Sequence, residues 1–267
     1  MIRNLNRGSM AGLGSLSLAL ASFIVLAFLV LPVLSVLPLS FSDNRYMSLP
    51  IGGFTLQWYK MFLTSGQWLE SLGNSFLVAI CSTSLSLVLG TLAALGLRHP
   101  SMPGKRIIEV LLMAPMIVPA VIVGVGMYFI FSKIGLTRTF TGLVIAHTTL
   151  AVPFVVVNVG ATLGTLSTKL LWAAASMGAT PWNTFRMVTL PLLSPGLISG
   201  GLFAFATSLD EVVVTLFMAG PDQRTLPREM FTVAREALSP VLLAAATIMM
   251  VLATLLLLLS RRLVRSK

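Results

Sequence analysis

Two acids side by side in an apolar run are the residues of this chain best suited to chemistry. Asp210 and Glu211 interrupt the stretch AFATSLDEVVVTLFMAG. A charge at the centre of a membrane helix costs roughly 2.5–3.5 kcal/mol on insertion scales. Acids in such a place face a bundle interior or a wet cavity and carry function by default. Adjacent helical residues point about 100° apart. Thr207, Ser208, Glu211 and Thr215 fall at helical spacing and form a polar stripe, with Asp210 on its flank. Counted from Gly196, the pair lies about 21 Å along a helix, inside the bilayer. Two carboxylates beside a pathway attract a cation and repel an anion. A buried ion pair with a second chain is the competing use of the same residues.

Other chemistries find little support. The chain has two histidines, His99 and His147, and one cysteine, Cys81. His147 reads as a packed, hydrogen-bonded residue, and no Cys, His or carboxylate cluster suggests a metal site. There is no G-x-x-x-x-G-K-[ST], H-E-x-x-H or G-x-S-x-G. A phosphate-cradling loop and a hydrolytic nucleophile are both missing, so no catalytic residue and no cofactor is assigned to this chain.

The elements that must hold the acids are membrane spans. Of 267 residues, 56% are hydrophobic and 10% charged, and the mean hydropathy is +0.95. A soluble domain is about 25% charged. The net charge of +10 does not mark a nucleic-acid protein, because its cations are scattered between apolar runs. A span needs about 20 apolar residues. Six stretches qualify, at 13–37, 71–97, 107–131, 142–160, 196–219 and 241–260. The expectation is an all-α polytopic membrane protein with a single transmembrane domain over 1–267. Arg3, Arg7, Arg98, Lys105, Arg106, Lys169, Arg186, Arg261, Arg262, Arg265 and Lys267 fall on one side. Fewer cations, mixed with acids, fall on the other. The positive-inside rule then puts both termini in the cytoplasm. Pro32, Pro38, Pro115, Pro119 and Pro153 lie in spans, where neighbouring helices satisfy the freed carbonyls. Gly160-x-x-x-Gly164 and Gly196-x-x-x-Gly200 allow close helix approach.

The longest cytoplasmic connection, 161–195, has sharp local signals. Ser167 caps a short helix reaching Met177, and Gly178 ends it in a left-handed conformation. Thr180 caps a second helix with Pro181 at its first position, and that helix is expected to end near Pro191. Ala173, Ala174, Ala175 and Ser176 give the first helix a small-residue surface suited to a groove on another protein.

This loop resembles the EAA motif of permease subunits of binding-protein-dependent ABC importers. The matching residues are Ala173, Ala174, Gly178, Ala179, Phe185, Leu190-Pro191 and Pro195-Gly196, with Trp172 where the pattern has Glu. The resemblance implies the ABC type I importer permease fold. It also implies a coupling helix, built on Ala173, Ala174, Gly178 and Ala179, that docks on a cytoplasmic ATPase dimer. ATP and Mg would then sit on that ATPase. A second, related permease chain and a periplasmic substrate-binding protein are further implied partners, in a bacterial inner membrane.

The segment SLDEVVVTLFMAGPDQRTLPREMF resembles permeases of spermidine/putrescine importers, which implies polyamine cargo along Asp210, Glu211, Thr207, Ser208 and Thr215. Another small organic cation or amino compound is the alternative cargo. A secondary cation carrier or channel is the alternative class, and a membrane-embedded enzyme a weaker one.

The outer loops, 42–69 and 221–239, are long enough to touch a periplasmic protein. Tyr46, Trp58, Tyr59 and Trp68 suit an interfacial aromatic belt, with a docking surface as the alternative. Asp222, Arg224, Arg228 and Glu229 suit salt-sensitive docking.

Overall fold

The computed structural model of the chain describes residues 5–44, 52–99, 101–236 and 239–265. Their helices are α1 (Leu5–Ser40), α2 (Gln57–Thr64), α3 (Gly66–Arg98), α4 (Lys105–Ile117), α5 (Ala120–Lys133), α6 (Phe140–Thr165), α7 (Thr168–Ser176), α8 (Pro181–Thr184), α9 (Leu190–Leu209), α10 (Val213–Met218), α11 (Leu226–Glu236) and α12 (Val241–Arg265). The described residues contain no strand, only an isolated bridge between Ser42 and Phe54.

The centre of the molecule is α6, held between α3 and α9. In lipid, apolar surface gives helices little reason to associate, so close packing of small residues does the work. Three glycines permit it. A Cβ on Gly90 of α3 would come 2.7 Å from Val155 Cβ, and one on Gly200 of α9 would come 3.1 Å from Val155 Cα. A Cβ on Gly196 would strike Thr162 and the Asn158 carbonyl. Ala94, Ala151, Val155, Val159, Leu163, Leu193 and Ala204 fill the layer between. The other expected pair, Gly160 and Gly164, does not serve this packing. Neither meets anything within 4 Å, and both line a cavity of about 450 Å³ with Arg98, Lys105 and Glu109.

Four helical stretches are long and apolar enough to span a membrane: Leu18–Ser40, Gly66–Arg98, Phe140–Thr165 and Pro181–Leu209. The pair α4 and α5 is also long and apolar enough when taken together, but is bent by 109° at the break between them, the shape of a broken span or a re-entrant loop. The sixth expected stretch falls on α12, whose described apolar part, Val241–Leu256, is shorter.

Three expected boundaries are corrected. The continuous helix expected over 107–131 breaks at Val118, which is extended (φ −74°, ψ 133°). Pro119 forces that conformation on its predecessor and offers no N–H. The helix expected over 196–219 breaks at 210–212, between α9 and α10. Conversely, the loop's second helix does not stop near Pro191. It widens into a π turn at Phe185–Thr189, where the Leu190 N–H reaches back to the Phe185 carbonyl, and continues as α9. One extra residue in a turn absorbs the ladder bond that a proline cannot make.

At the end of the bundle where α2, α11 and α12 meet, Trp58, Phe62, Trp68, Leu226, Val241, Ala244 and Ala245 form a second buried cluster. Trp58 and Trp68 are each only 8% exposed, so they are interior anchors and not a lipid-facing belt. Trp58 Nε1 donates to the Ser42 carbonyl at 2.7 Å, and the Tyr59 and Ser40 hydroxyls share a 2.6 Å hydrogen bond. Tyr46 lies outside the described residues.

Candidate functional site: a broken span with two acids

The acidic pair does not ride on a continuous helix. Helix α9 ends at Leu209 and Asp210 is its C-cap. The chain turns through Glu211 and Val212, and α10 begins at Val213. The two acids therefore sit in non-helical backbone directly after the apolar stretch that ends at Leu209, and inside a membrane such backbone is tolerated only if buried in protein or lining a cavity. A helix C-terminus carries about half a negative charge. Here it coincides with two carboxylates, so the negative potential is concentrated at one point.

The acids divide the work. Glu211 is half-buried, and its Oε1 accepts the Val214 N–H at 2.7 Å. It thereby satisfies an orphan donor in the first turn of α10. Asp210 is exposed, and among the described residues its carboxylate makes no hydrogen bond or ion pair.

The polar stripe expected around the pair is split by the break. Thr207 is half-buried, whereas Ser208 and Thr215 are buried and turn inward to His147. His147 of α6 has no exposed surface. Its Nδ1 lies 2.8 Å from Ser208 Oγ and its Nε2 lies 3.0 Å from Thr215 Oγ1. Ser82 of α3 donates to Ser208 Oγ at 2.9 Å, and Thr215 donates to the Glu211 carbonyl at 3.2 Å.

The Ser82 hydroxyl also reaches the Ala79 carbonyl at 3.3 Å. With the Thr215 proton on the Glu211 carbonyl and the Ser82 proton on Ser208, a neutral imidazole protonated on Nε2 satisfies every partner: Nε2 donates to Thr215 and Ser208 donates to Nδ1. Sequence reading had found His147 to be a hydrogen-bonded core residue but had not found its partners. Part of the signal was present in α3, where Ser71, Ser75, Ser82 and Ser86 repeat at helical spacing and are all buried.

The expected coupling segment has the anticipated local geometry. Ser167 accepts from the Lys169 N–H, and Gly178 has φ +81°. Thr180 accepts from the Asn183 N–H. The Ala179 N–H returns to the Ala174 carbonyl at 3.0 Å, which closes the corner between α7 and α8. Ala174 is buried, Ala179 half-buried, and Ala173 and Gly178 are exposed. Around them Trp172, Met177 and Trp182 are 69%, 82% and 66% exposed. No described group of His, Cys, Asp and Glu could hold a metal ion.

Three of the charges at the α10–α11 corner, Arg224, Arg228 and Glu229, are engaged within the chain, while Asp222 is exposed. Glu229 is 3% exposed. It accepts from Gln67 Nε2 at 2.6 Å and pairs with Arg224 at 3.4 Å. Arg228 donates to the Gly220 carbonyl at 2.8 Å. Burial, and then the charge of Arg224, lower the Arg228 guanidinium from its ordinary value, while Glu229 opposes the shift.

The described residues thus form a helical bundle with one sharply bent helix pair, a break at 210–212 and a short two-helix loop. A subunit of a bacterial ABC transporter involved in the import of the acidic polysaccharide alginate superposes with a TM-score of 0.75 at 15% identity, over 99% of each chain. Residues 86–267 match the family model described as binding-protein-dependent transport system inner membrane component, and the chain belongs to that family. It is 31% identical to the spermidine/putrescine transport system permease protein PotC of Haemophilus influenzae, over 82% of this chain and 84% of that one. It is 30% identical to the putrescine transport system permease protein PotI of Escherichia coli K12, over 81% and 79%. The chain is therefore a transport permease subunit of an ABC importer and not an enzyme.

Proposed function

We propose that this subunit forms half of a pathway for polyamine-like cations across the bacterial inner membrane. The observation that carries the reading is the broken span. It presents the free Asp210 carboxylate and the C-terminus of α9 at one point, a combination that attracts a small polycation. Relatives whose names specify spermidine and putrescine support the same cargo. The shared fold does not supply that support, since a neighbour with this fold belongs to an importer of an acidic polysaccharide.

A second permease chain, related but different, completes the pore, and both termini of this subunit lie in the cytoplasm. The α7–α8 corner, with Ala173, Ala174, Gly178 and Ala179, docks on a cytoplasmic ATPase dimer that holds ATP and Mg. Its exposed apolar residues Trp172, Met177 and Trp182 supply contact area of the kind that marks a protein interface. Trp172 replaces a charge of the family motif with apolar contact. A periplasmic substrate-binding protein delivers the cargo to the opposite face.

The test is uptake of labelled spermidine and putrescine by proteoliposomes holding the complete transporter. Wild-type uptake should require ATP and the binding protein, and Asp210→Asn should depress it while the ATPase stays bound. Unchanged uptake in both Asp210→Asn and Glu211→Gln removes the pair from the pathway.

A further inference from the structure

His147 is a buried titratable side chain with no part in the reading above. It comes from α6, the most enclosed of the candidate spans. Each ring nitrogen reaches a different half of the broken span: Nδ1 to Ser208 near the end of α9, Nε2 to Thr215 in α10. Those two residues bracket the acids. Ser208 stands two positions before Asp210, and Thr215 stands four after Glu211.

A planar ring holds its two nitrogens at a fixed separation and so fixes the offset between the hydroxyls they bind. Ser82 braces the near end from α3, and the Thr215 bond to the Glu211 carbonyl carries the constraint into the break itself. Within 210–212 the Asp210 N–H still bonds the Ala206 carbonyl and the Val212 carbonyl still accepts from Leu216, but the ladder is not continuous, and the His147 bridge adds side-chain support across the gap.

We propose that His147 is the positioning residue of the acidic pair: by tying Ser208 of α9 to Thr215 of α10, it sets the direction in which the Asp210 carboxylate meets the cation. The proposal rests on the pathway reading of the pair.

The experiment measures spermidine uptake kinetics in proteoliposomes with the complete transporter, for His147→Phe, Thr215→Val, Asp210→Asn and the double variant His147→Phe/Asp210→Asn. His147→Phe and Thr215→Val should raise KM about tenfold with kcat and subunit assembly near wild type, since a misaimed carboxylate weakens binding and not turnover. His147→Gln, which keeps a donor toward Thr215, should recover part of the loss. The double variant should be no worse than Asp210→Asn alone, because residues acting through one another are not additive.

Wild-type KM in His147→Phe and Thr215→Val, with only a lower Tm, overturns the proposal. So does a double variant whose KM equals the product of the single effects. If His147→Phe does not assemble, Thr215→Val and Ser208→Ala carry the same comparison. A wild-type KM in Asp210→Asn together with unchanged uptake in Glu211→Gln sinks the pathway reading itself, whereas an impaired Asp210→Asn beside a normal His147→Phe sinks only the positioning role.

Discussion

The Glu211 carboxylate accepts the backbone N–H of Val214 at 2.7 Å, so one acid of an adjacent pair is a helix cap and the other is free. The two should therefore respond differently to neutralisation and to truncation. Glu211→Gln keeps an oxygen for the cap, while Glu211→Ala loses it at a cost of about 1 kcal/mol. The expected order of thermal stability is wild type, then Glu211→Gln, then Glu211→Ala, read as Tm of the purified complex. Asp210→Asn should leave Tm within error and raise the spermidine KM. Equal Tm for the two Glu211 variants would show that the cap does not hold the break.

Gly178 has φ +81° and open space around its Cβ position. A side chain there fits but is strained, by about 1–2 kcal/mol. Gly178→Ala should distort the α7–α8 corner and lower substrate-stimulated ATP hydrolysis in the assembled complex, with little effect on the spans. Ala173 is exposed and Ala174 buried, so Ala173→Trp reports on contact with the ATPase, and Ala174→Trp on folding of the loop. Loss of ATPase binding by Ala173→Trp, with a normal Tm, is the expected result. Retained binding and coupling in both Gly178→Ala and Ala173→Trp would place the docking surface elsewhere.

Local chemistry made some features legible in advance. The caps at Ser167 and Thr180 and the left-handed Gly178 depend on a few neighbouring residues, and the structure has them where the sequence places them. The breaks were not legible from periodicity, because Val118 and residues 210–212 lie within runs apolar enough to pass as continuous helix. Pro119 was visible, but a proline in a membrane helix is compatible with a mild kink as well as a 109° bend. The inward turn of Ser208 and Thr215 depends on His147, which is about sixty residues away in the chain. Trp58 and Trp68 were misplaced for a related reason. A tryptophan near a membrane surface has the same composition signal whether it faces lipid or is covered, and it is α11 and α12 that cover these two.

The two small-residue motifs should separate under substitution. A Cβ on Gly200 would lie 3.1 Å from the Val155 Cα, and backbone cannot give way as a flexible side chain can. Gly200→Leu should destabilise by about 1–3 kcal/mol through overpacking, seen as a lower Tm and reduced assembly. Gly160 meets nothing within 4 Å, so Gly160→Ala should be neutral or slightly stabilising, since alanine favours the helix by about 1 kcal/mol. A large loss in Gly160→Ala would indicate that the cavity beside α3 and α4 is filled by a partner chain in the assembled transporter.

The outer corner offers a test of whether its charges serve the fold or a docking protein. Glu229 has a side chain 4% exposed, while its partner Arg224 is 40% exposed. Removing the two ends is therefore not equivalent. Arg224→Ala leaves Glu229 with its 2.6 Å bond from Gln67, and a pair open to solvent on one side contributes less than about 1 kcal/mol. Glu229→Ala strips Gln67 of its acceptor and leaves α3 and α11 without this polar tie, a loss of about 1–3 kcal/mol. The expected outcome is a clear Tm decrease for Glu229→Ala, a small one for Arg224→Ala, and little change in the salt dependence of binding-protein association for Glu229→Gln. A strong change in that salt dependence, with normal Tm, would mean that Glu229 reaches the docking protein despite its burial in the isolated subunit.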